Sequence, residues 1–328
     1  VNGLRYNRAF SPHGWEAVAT FDSVTLPWAT SEAIEGERVA AGEMKSNYVR
    51  LGAGIGFYAA LAPGLQDNAF EAALTYEPAY LFFGRGGDTA ASFVLPSDTY
   101  EGRVHLRLRA DAFERNLLEL PHRGWAAGID ATAGWRSHWT DWGFDDFGVQ
   151  NAENTRHWSA VSGYALVAGP VPFLSGERHR FVLSGYGGTG RDQDRISAFR
   201  LGGISNAGDW ESLSRPVLPG AALDEFFTRR YGIGNVEYRY QALFFLFLQG
   251  RGTFAWLEQP RRTASGVEFH VEPMRAATLA VTSGFLWNAS LELSYSYNFS
   301  VLRRSDGSTT KGGGALFVSF TKLFSRKM

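Results

Sequence analysis

Residues 287–300 read WNASLELSYSYNFS, and apolar and polar side chains alternate strictly along them. Successive side chains of a β-strand point to opposite faces of its sheet, so one face of this stretch is apolar and carries aromatic residues at one end. A strand of a soluble protein has on average about 5–6 residues. A strand that crosses a membrane needs about 9–11 residues with this alternation. The stretch therefore predicts a membrane-spanning β-strand.

The same alternation recurs along the whole chain of 328 residues. It predicts an all-β fold, a transmembrane antiparallel β-barrel of about 12 strands, which is an even number as in bacterial single-chain barrels. The predicted strands cover residues 14–27, 47–61, 69–83, 100–113, 122–139, 156–170, 178–190, 227–241, 243–257, 270–284, 287–302 and 313–324.

The connections between these strands alternate in length. Short turns follow the even-numbered strands, as at 62–68 and 171–177, and long loops follow the odd-numbered ones, as at 191–226 and 258–269. Short periplasmic turns and long extracellular loops are typical of outer-membrane barrels. Because no linker or repeat divides the sequence, residues 1–328 are predicted to form a single outer-membrane β-barrel domain.

The composition argues against several other classes of protein. The chain has no cysteine, which excludes a disulfide framework, a zinc–thiolate site and a cysteine nucleophile. Its formal net charge of −1 gives no reason to expect nucleic acid as a partner. The longest apolar run, residues 242–248, is much shorter than the ~20 residues of a spanning helix. The histidines are too scattered to predict a metal site, and no motif indicates a cofactor.

The predicted strand 100–113 carries an unusual charged face. Arg103, His105, Arg107 and Arg109 share one face of it. Four basic side chains on one face cannot all enter a dry core, so they face either bulk water in a soluble sheet or the polar lumen of a barrel. We expect the second. The side chains predicted to line the lumen are Arg103, Arg107, Arg109, Asp130, Glu237, Arg239 and Arg251.

Three segments resemble the surface-antigen family of outer-membrane barrels, the BamA/TamA-like proteins. They are residues 199–203 (FRLGG), 235–243 (NVEYRYQAL) and 245–252 (FLFLQGRG). In that family a Leu-Gly-Gly segment opens a long loop that folds back into the barrel, and an arginine at the loop tip binds acidic side chains of the following strands. The match is partial and includes no POTRA domain, so the resemblance implies the barrel architecture rather than a complete assembly machine.

The resemblance also implies site residues. The loop that would fold into the lumen is 191–226, and Arg215, in the segment SLSRPVLPG, is the nearest candidate for the residue that plugs it. Glu237 occupies the position of the acidic side chain that the family pairs with the tip arginine. The resemblance thus implies a lumen plugged by this loop, with Arg215 paired to Glu237, whereas the sequence itself leaves a conduit, a plugged barrel and a membrane anchor open.

Together these observations predict a protein of the bacterial outer membrane with a transport-like or a scaffold and anchor role. Its expected partners are outer-membrane lipid, lipopolysaccharide and other envelope proteins, and it is expected not to be an enzyme. Two alternatives stay open. His157 and Ser159 share a face at a spacing that outer-membrane phospholipases use, so a lipid hydrolase with Ser159 as nucleophile is one alternative. A soluble all-β binding protein is the other.

Overall fold

The structure is a computed structural model. It describes residues 2–24, 29–34, 37–61, 68–87, 89–115, 120–143, 155–174, 176–203, 214, 216–221, 226–263, 266–285, 289–303 and 309–322. Within these residues, no helix is long and apolar enough to cross a bilayer.

One antiparallel sheet dominates the molecule, and its strands follow one another in chain order. The strands along its path are β1 (Asn2–Ala9), β2 (Trp15–Val24), β4 (Glu37–Ala60), β5 (Ala69–Arg85), β6 (Thr99–Asp111), β8 (Pro121–Arg136), β9 (His157–Pro170), β10 (His179–Arg191), β13 (Arg230–Leu243), β14 (Leu246–Thr263), β15 (Gly266–Phe285), β16 (Ala289–Arg303) and β17 (Thr309–Lys322).

Four shorter strands complete the set. In the main sheet β3 (Ala29–Ile34) pairs with β4, and β7 (Glu114–Arg115) pairs with β8. A separate two-stranded sheet joins β11 (Phe199–Leu201) to β12 (Phe226–Thr228), and both lie within the long connection between β10 and β13. In the described part of the chain, β1 pairs only with β2 and β17 pairs only with β16.

All twelve predicted strands are present, and the structure adds β1 before them. The alternation missed β1 because only Leu4 and Tyr6 are large apolar side chains on its outer face. The predicted loop 258–269 is wrong, since β14 continues to Thr263 and β15 begins at Gly266. Likewise β4 begins at Glu37 rather than at residue 47. In these extensions the backbone hydrogen-bond ladder continues, but apolar and polar side chains no longer alternate. Only the part of a strand that contacts lipid requires this alternation.

The two faces of the sheet differ in a way that a soluble sandwich does not tolerate. On β16, Leu293, Tyr295 and Phe299 are between 47% and 60% exposed, whereas Ser294 and Asn298, on the opposite face, are at most 6% exposed. A water-soluble sheet buries its apolar face and exposes its polar face. Large apolar side chains are exposed on every long strand from β1 to β17. The sheet is therefore a barrel with an apolar exterior and a polar interior.

Candidate functional site

A network of charged side chains covers the inner face of β5, β6 and β8. His105 lies between two carboxylates, with its Nδ1 3.3 Å from Glu77 Oε1 and its Nε2 2.9 Å from Asp130 Oδ1. Arg107 Nε donates to Asp130 Oδ1 at 2.9 Å, and Arg109 Nη2 lies 3.9 Å from Asp130 Oδ2. Alternation along β6 places these groups on one face, and pairing with β5 and β8 supplies their acidic partners.

A buried group of three charged side chains joins this wall to the long connection after β10. Arg136 Nε donates to Glu101 Oε2 at 3.1 Å, and its Nη1 donates to Asp194 Oδ2 at 2.7 Å. None of these three side chains has any accessible surface. The Arg136 guanidinium also stacks 4.1 Å from the Trp139 ring centre. Asp194 lies outside the barrel strands, so this ion pair ties the start of the long connection to the barrel wall.

A second, smaller charged cluster lies on β13 and β14. Glu237 accepts hydrogen bonds from Arg239 Nη2 at 2.5 Å and from Arg251 Nη2 at 2.6 Å. Arg239 Nη1 also donates to the Pro121 carbonyl at 2.8 Å. Glu237 is thus already neutralised by two arginines of the barrel wall.

Elsewhere the inner face from β13 to β16 carries mainly small polar side chains, with Glu292 of β16 as a further acidic group. Thr253 donates to Asn235 Oδ1 at 2.7 Å, and Gln249 Nε2 donates to Thr282 Oγ1 at 2.6 Å. Most of these hydroxyl and amide groups satisfy one another across neighbouring strands, as buried polar groups must.

An apolar cluster covers part of the β13–β16 wall, and the long connection contributes to it. Leu201, Leu218 and Ala221 of the connection are buried, and the barrel strands supply their partners. The partners on the inner face are Tyr231, Ile233, Ala255, Leu257 and Met274. Inner-face positions that would otherwise meet water are therefore covered by a segment of the chain itself.

The same connection also forms polar contacts with β6 and β16. Asn298 Nδ2, on the inner face of β16, donates to the Pro219 carbonyl at 3.2 Å. Arg109 Nη2, on β6, lies 3.4 Å from Ser214 Oγ. Gly220 has a φ of 79°, a conformation that favours glycine, and a Cβ there would lie 3.0 Å from Asn298 Cβ. The described residues of the connection therefore contact inner faces on opposite parts of the sheet and lie inside the barrel.

The other long loops pack together at the same end of the barrel. Met44, Phe93, Trp139 and Trp142 form a buried cluster, against which Ile196 of the β10–β13 connection also packs. Arg85 Nη2 donates to the Phe93 carbonyl at 2.9 Å and fixes the β5–β6 loop. The long-loop end thus has a hydrophobic cover above the part of the connection that enters the barrel.

Similarity to solved structures agrees with this architecture. BamA from Haemophilus ducreyi, crystallised without POTRA domains 1–3, matches over 97% of this chain with a TM-score of 0.57 and 10% identity. This chain has the fold of an outer-membrane β-barrel. The match covers 62% of that BamA chain, so this chain spans less than two thirds of it. The prediction of a BamA-like barrel is confirmed for the fold, and the bacterial outer membrane is the location that this fold indicates.

A second solved structure matches over the same share of this chain. Pseudomonas aeruginosa OpdK with vanillate matches over 97% of this chain and 78% of its own, with 13% identity and a TM-score of 0.31. No protein-family profile and no curated protein matches the sequence.

The structure brings the predicted lumen residues of the barrel into two groups. The first contains Arg103, Arg107, Arg109 and Asp130, and the second contains Glu237, Arg239 and Arg251. All seven lie on the inner face and are buried or half-buried. Arg215 lies outside the described residues, so its predicted pairing with Glu237 stays a prediction.

Other residues of the interior were not predicted from the sequence. Glu101 lies near the start of β6 and Arg136 is the last residue of β8, and most residues beside them are glycine, alanine or aromatic. Asp194 belongs to a loop. The local signal for Glu101 and Arg136 is that each continues the inner-face alternation of its strand, whereas Asp194 has no such signal. The alternative catalytic pair, His157 and Ser159, lies exposed on the outer face of β9, and no hydrogen bond joins these two described side chains.

Proposed function

We propose that the protein is a closed outer-membrane barrel, plugged by its own β10–β13 connection, with a scaffold, anchor or gated-transport role rather than that of an open diffusion pore. The observation that carries the proposal is the path of this connection. Its described residues contact β6 through Ser214, β8 through Asp194 and β16 through Pro219, and they pack on β13, β14 and β15.

The size of the barrel makes such a plug effective. Barrels of about eight strands are filled by side chains, whereas barrels of about sixteen leave an aqueous channel. A barrel of intermediate size has room for one inserted segment in addition to its own side chains. Here the described residues of the connection cover part of the inner face of β13, β14 and β15, and charged side chains project from the inner face of β5, β6 and β8. Both reduce the cross-section that is left for a pore.

The exterior supports a role at the membrane. Exposed apolar side chains surround the barrel, and they fit the acyl chains of outer-membrane lipid and lipopolysaccharide as partners. A closed barrel of this kind offers its loops, turns and outer wall to other envelope proteins. We therefore extend the proposal to an assembly with such proteins, in which the barrel is the membrane anchor.

Planar-bilayer conductance of the full chain, folded in detergent, tests the proposal. The unmodified protein should show no steady conductance. Asp194→Asn should produce intermittent openings, because it weakens the Arg136–Asp194 pair while Arg136 keeps Glu101. Asp192→Asn is the matched control, since Asp192 is exposed and pairs with exposed Arg191. A large, constant conductance of the unmodified protein would contradict a closed barrel.

A further inference from the structure

A cavity of about 240 Å³ lies on the inner face between β1, β2, β4, β5, β6 and β8, midway along the strands. Since a water molecule occupies about 30 Å³ of liquid, the cavity has room for roughly eight waters or for a small hydrated ion. The charged side chains that line it are Arg5, Asp22, Arg50, Glu77, Arg103, His105 and Arg107. The loop that plugs the barrel contributes no described residue to this lining.

The carboxylates of the cavity already have partners on the protein. Glu77 Oε1 accepts from Thr75 Oγ1 at 2.9 Å and contacts His105 Nδ1. Asp22 Oδ2 accepts from Tyr48 OH at 2.8 Å and from Arg50 Nη1 at 3.3 Å. A cation in this cavity would therefore have to displace existing donors.

Two of the arginines, Arg5 and Arg103, in contrast have donors to spare. Arg103 uses only its Nε, which donates to Glu101 at 2.6 Å, and its two Nη groups have no hydrogen-bond partner among the described residues. Arg5 Nε donates to Asn7 at 3.1 Å, and its Nη2 lies 4.0 Å from Glu71, beyond hydrogen-bond range. Between a fifth and a quarter of the Arg5 and Arg103 side chains stays accessible, at 23% and 22%. Each guanidinium carries five N–H donors, so unpaired donors face the cavity.

Like charges also converge here. The Arg50 and Arg103 guanidiniums repel each other, and so do those of Arg5 and Arg107. Glu101 and Asp130 neutralise Arg103 and Arg107, but neither carboxylate lines the cavity. An anion inside the cavity would interact favourably with both repelling pairs at once, and oxyanions match the planar fork of arginine.

We propose that this cavity binds a small oxyanion of the phosphate class, held by Arg5, Arg50 and Arg103. The site is separate from the plug, so it goes beyond the closed-barrel function and does not depend on whether the barrel conducts.

Calorimetric titration of the detergent-folded full chain with inorganic phosphate tests the site, with sodium chloride at matched ionic strength as the reference. Phosphate should bind to the unmodified protein with heat that chloride does not reproduce. Arg103→Gln should weaken binding at least about tenfold, because it removes a charged donor. Glu101 keeps Arg136 as a partner in this variant, so the barrel should still fold.

Two further variants complete the test. Arg5→Gln should weaken phosphate binding to a similar extent, and it removes no buried ion pair shorter than 4.0 Å. Arg191→Gln is the control, because Arg191 is exposed and does not line the cavity, and its affinity should equal that of the unmodified protein. Absence of phosphate binding beyond chloride, or equal affinity in all three variants, would mean that the cavity holds only water and would overturn the proposal.

Discussion

The two halves of the inner face make a polar interior in different ways. The wall formed by β5, β6 and β8 is charged, and its arginines are held by Glu101 and Asp130. The wall from β13 to β16 holds its charge mainly in the Glu237 cluster, and the β10–β13 connection covers its apolar part through Leu201 and Leu218. The connection therefore meets the first wall through the buried Arg136–Asp194 ion pair and the second through apolar contact. The difference indicates that two unlike kinds of contact hold the same segment inside the barrel.

Substitution of the buried Arg136 should lower the unfolding free energy most, because Arg136 links the charged wall to the β10–β13 connection. Arg136→Met leaves Glu101 and Asp194 without their shared partner in a site with no accessible surface. Removing one member of a buried ion pair costs about 3–5 kcal/mol of unfolding free energy. Urea unfolding of the protein in lipid vesicles measures it. A loss below about 1 kcal/mol would show that the charged wall does not hold the connection.

Loss of the apolar contact between the connection and the β13–β16 wall should have the second largest effect. Leu218→Ala removes a fully buried side chain and should cost about 2–4 kcal/mol in the same unfolding assay. Leu279→Ala, on the outer face of β15, is the matched control and should cost less, because Leu279 is exposed. Equal losses for the two variants would mean that Leu218 is not buried against the barrel.

Disruption of the Glu237 cluster on the β13–β16 wall should have an intermediate effect. Glu237→Gln removes the charge shared by Arg239 and Arg251, which should lower the unfolding free energy by about 1–3 kcal/mol. The loss is smaller than for Arg136 because the Arg251 side chain is 36% accessible and can be hydrated. If Glu237→Gln proves as costly as Arg136→Met, the two walls do not differ in how they hold charge.

Substitution of an exposed charged residue should change the unfolding free energy least. Arg191 and Asp192 lie 3.3 Å apart at the end of β10, and both are largely exposed. Exposed ion pairs contribute about 0–1 kcal/mol, so Arg191→Gln should change the unfolding free energy by at most about 0.5 kcal/mol. A clear destabilisation at this position would mean that the long-loop side depends on surface charge and not on its buried cluster.

The sequence predicted the charged wall better than the covered one, for a physical reason. Arg103, His105, Arg107 and Arg109 lie at every second position, and that period identifies a strand with one polar face. Leu201 and Leu218 have no such period, since their burial depends on where the connection runs. Arg136 and Asp194 meet across 58 positions of the chain, and no local pattern encodes that contact. The family resemblance implied that the connection enters the barrel, but it did not give these contacts.

The errors in the predicted strand ends have a similar cause. The alternation located the segments that face lipid, but it missed β1, which has few large apolar side chains, and the extension of β4 and β14 beyond them. Backbone pairing continues wherever two strands remain adjacent, whatever their side chains. The amphipathic pattern therefore marks the lipid-facing part of a strand rather than the whole strand.

Disulfide formation between the connection and the inner face of β16 tests most directly whether the connection lies inside the barrel. The chain has no native cysteine. Gly220→Cys with Asn298→Cys places two Cβ atoms about 3.0 Å apart, below the spacing of about 3.5–4.5 Å found in disulfides, so the two backbones must separate slightly for the cross-link to form. Cysteine at the positive φ of residue 220 is strained, and the control pair carries the same substitution. Gly220→Cys with Leu293→Cys, on the outer face of the same strand, is the control. We predict an oxidised cross-link in the first pair only; no cross-link in that pair, or equal cross-linking in both, would contradict a plugged barrel.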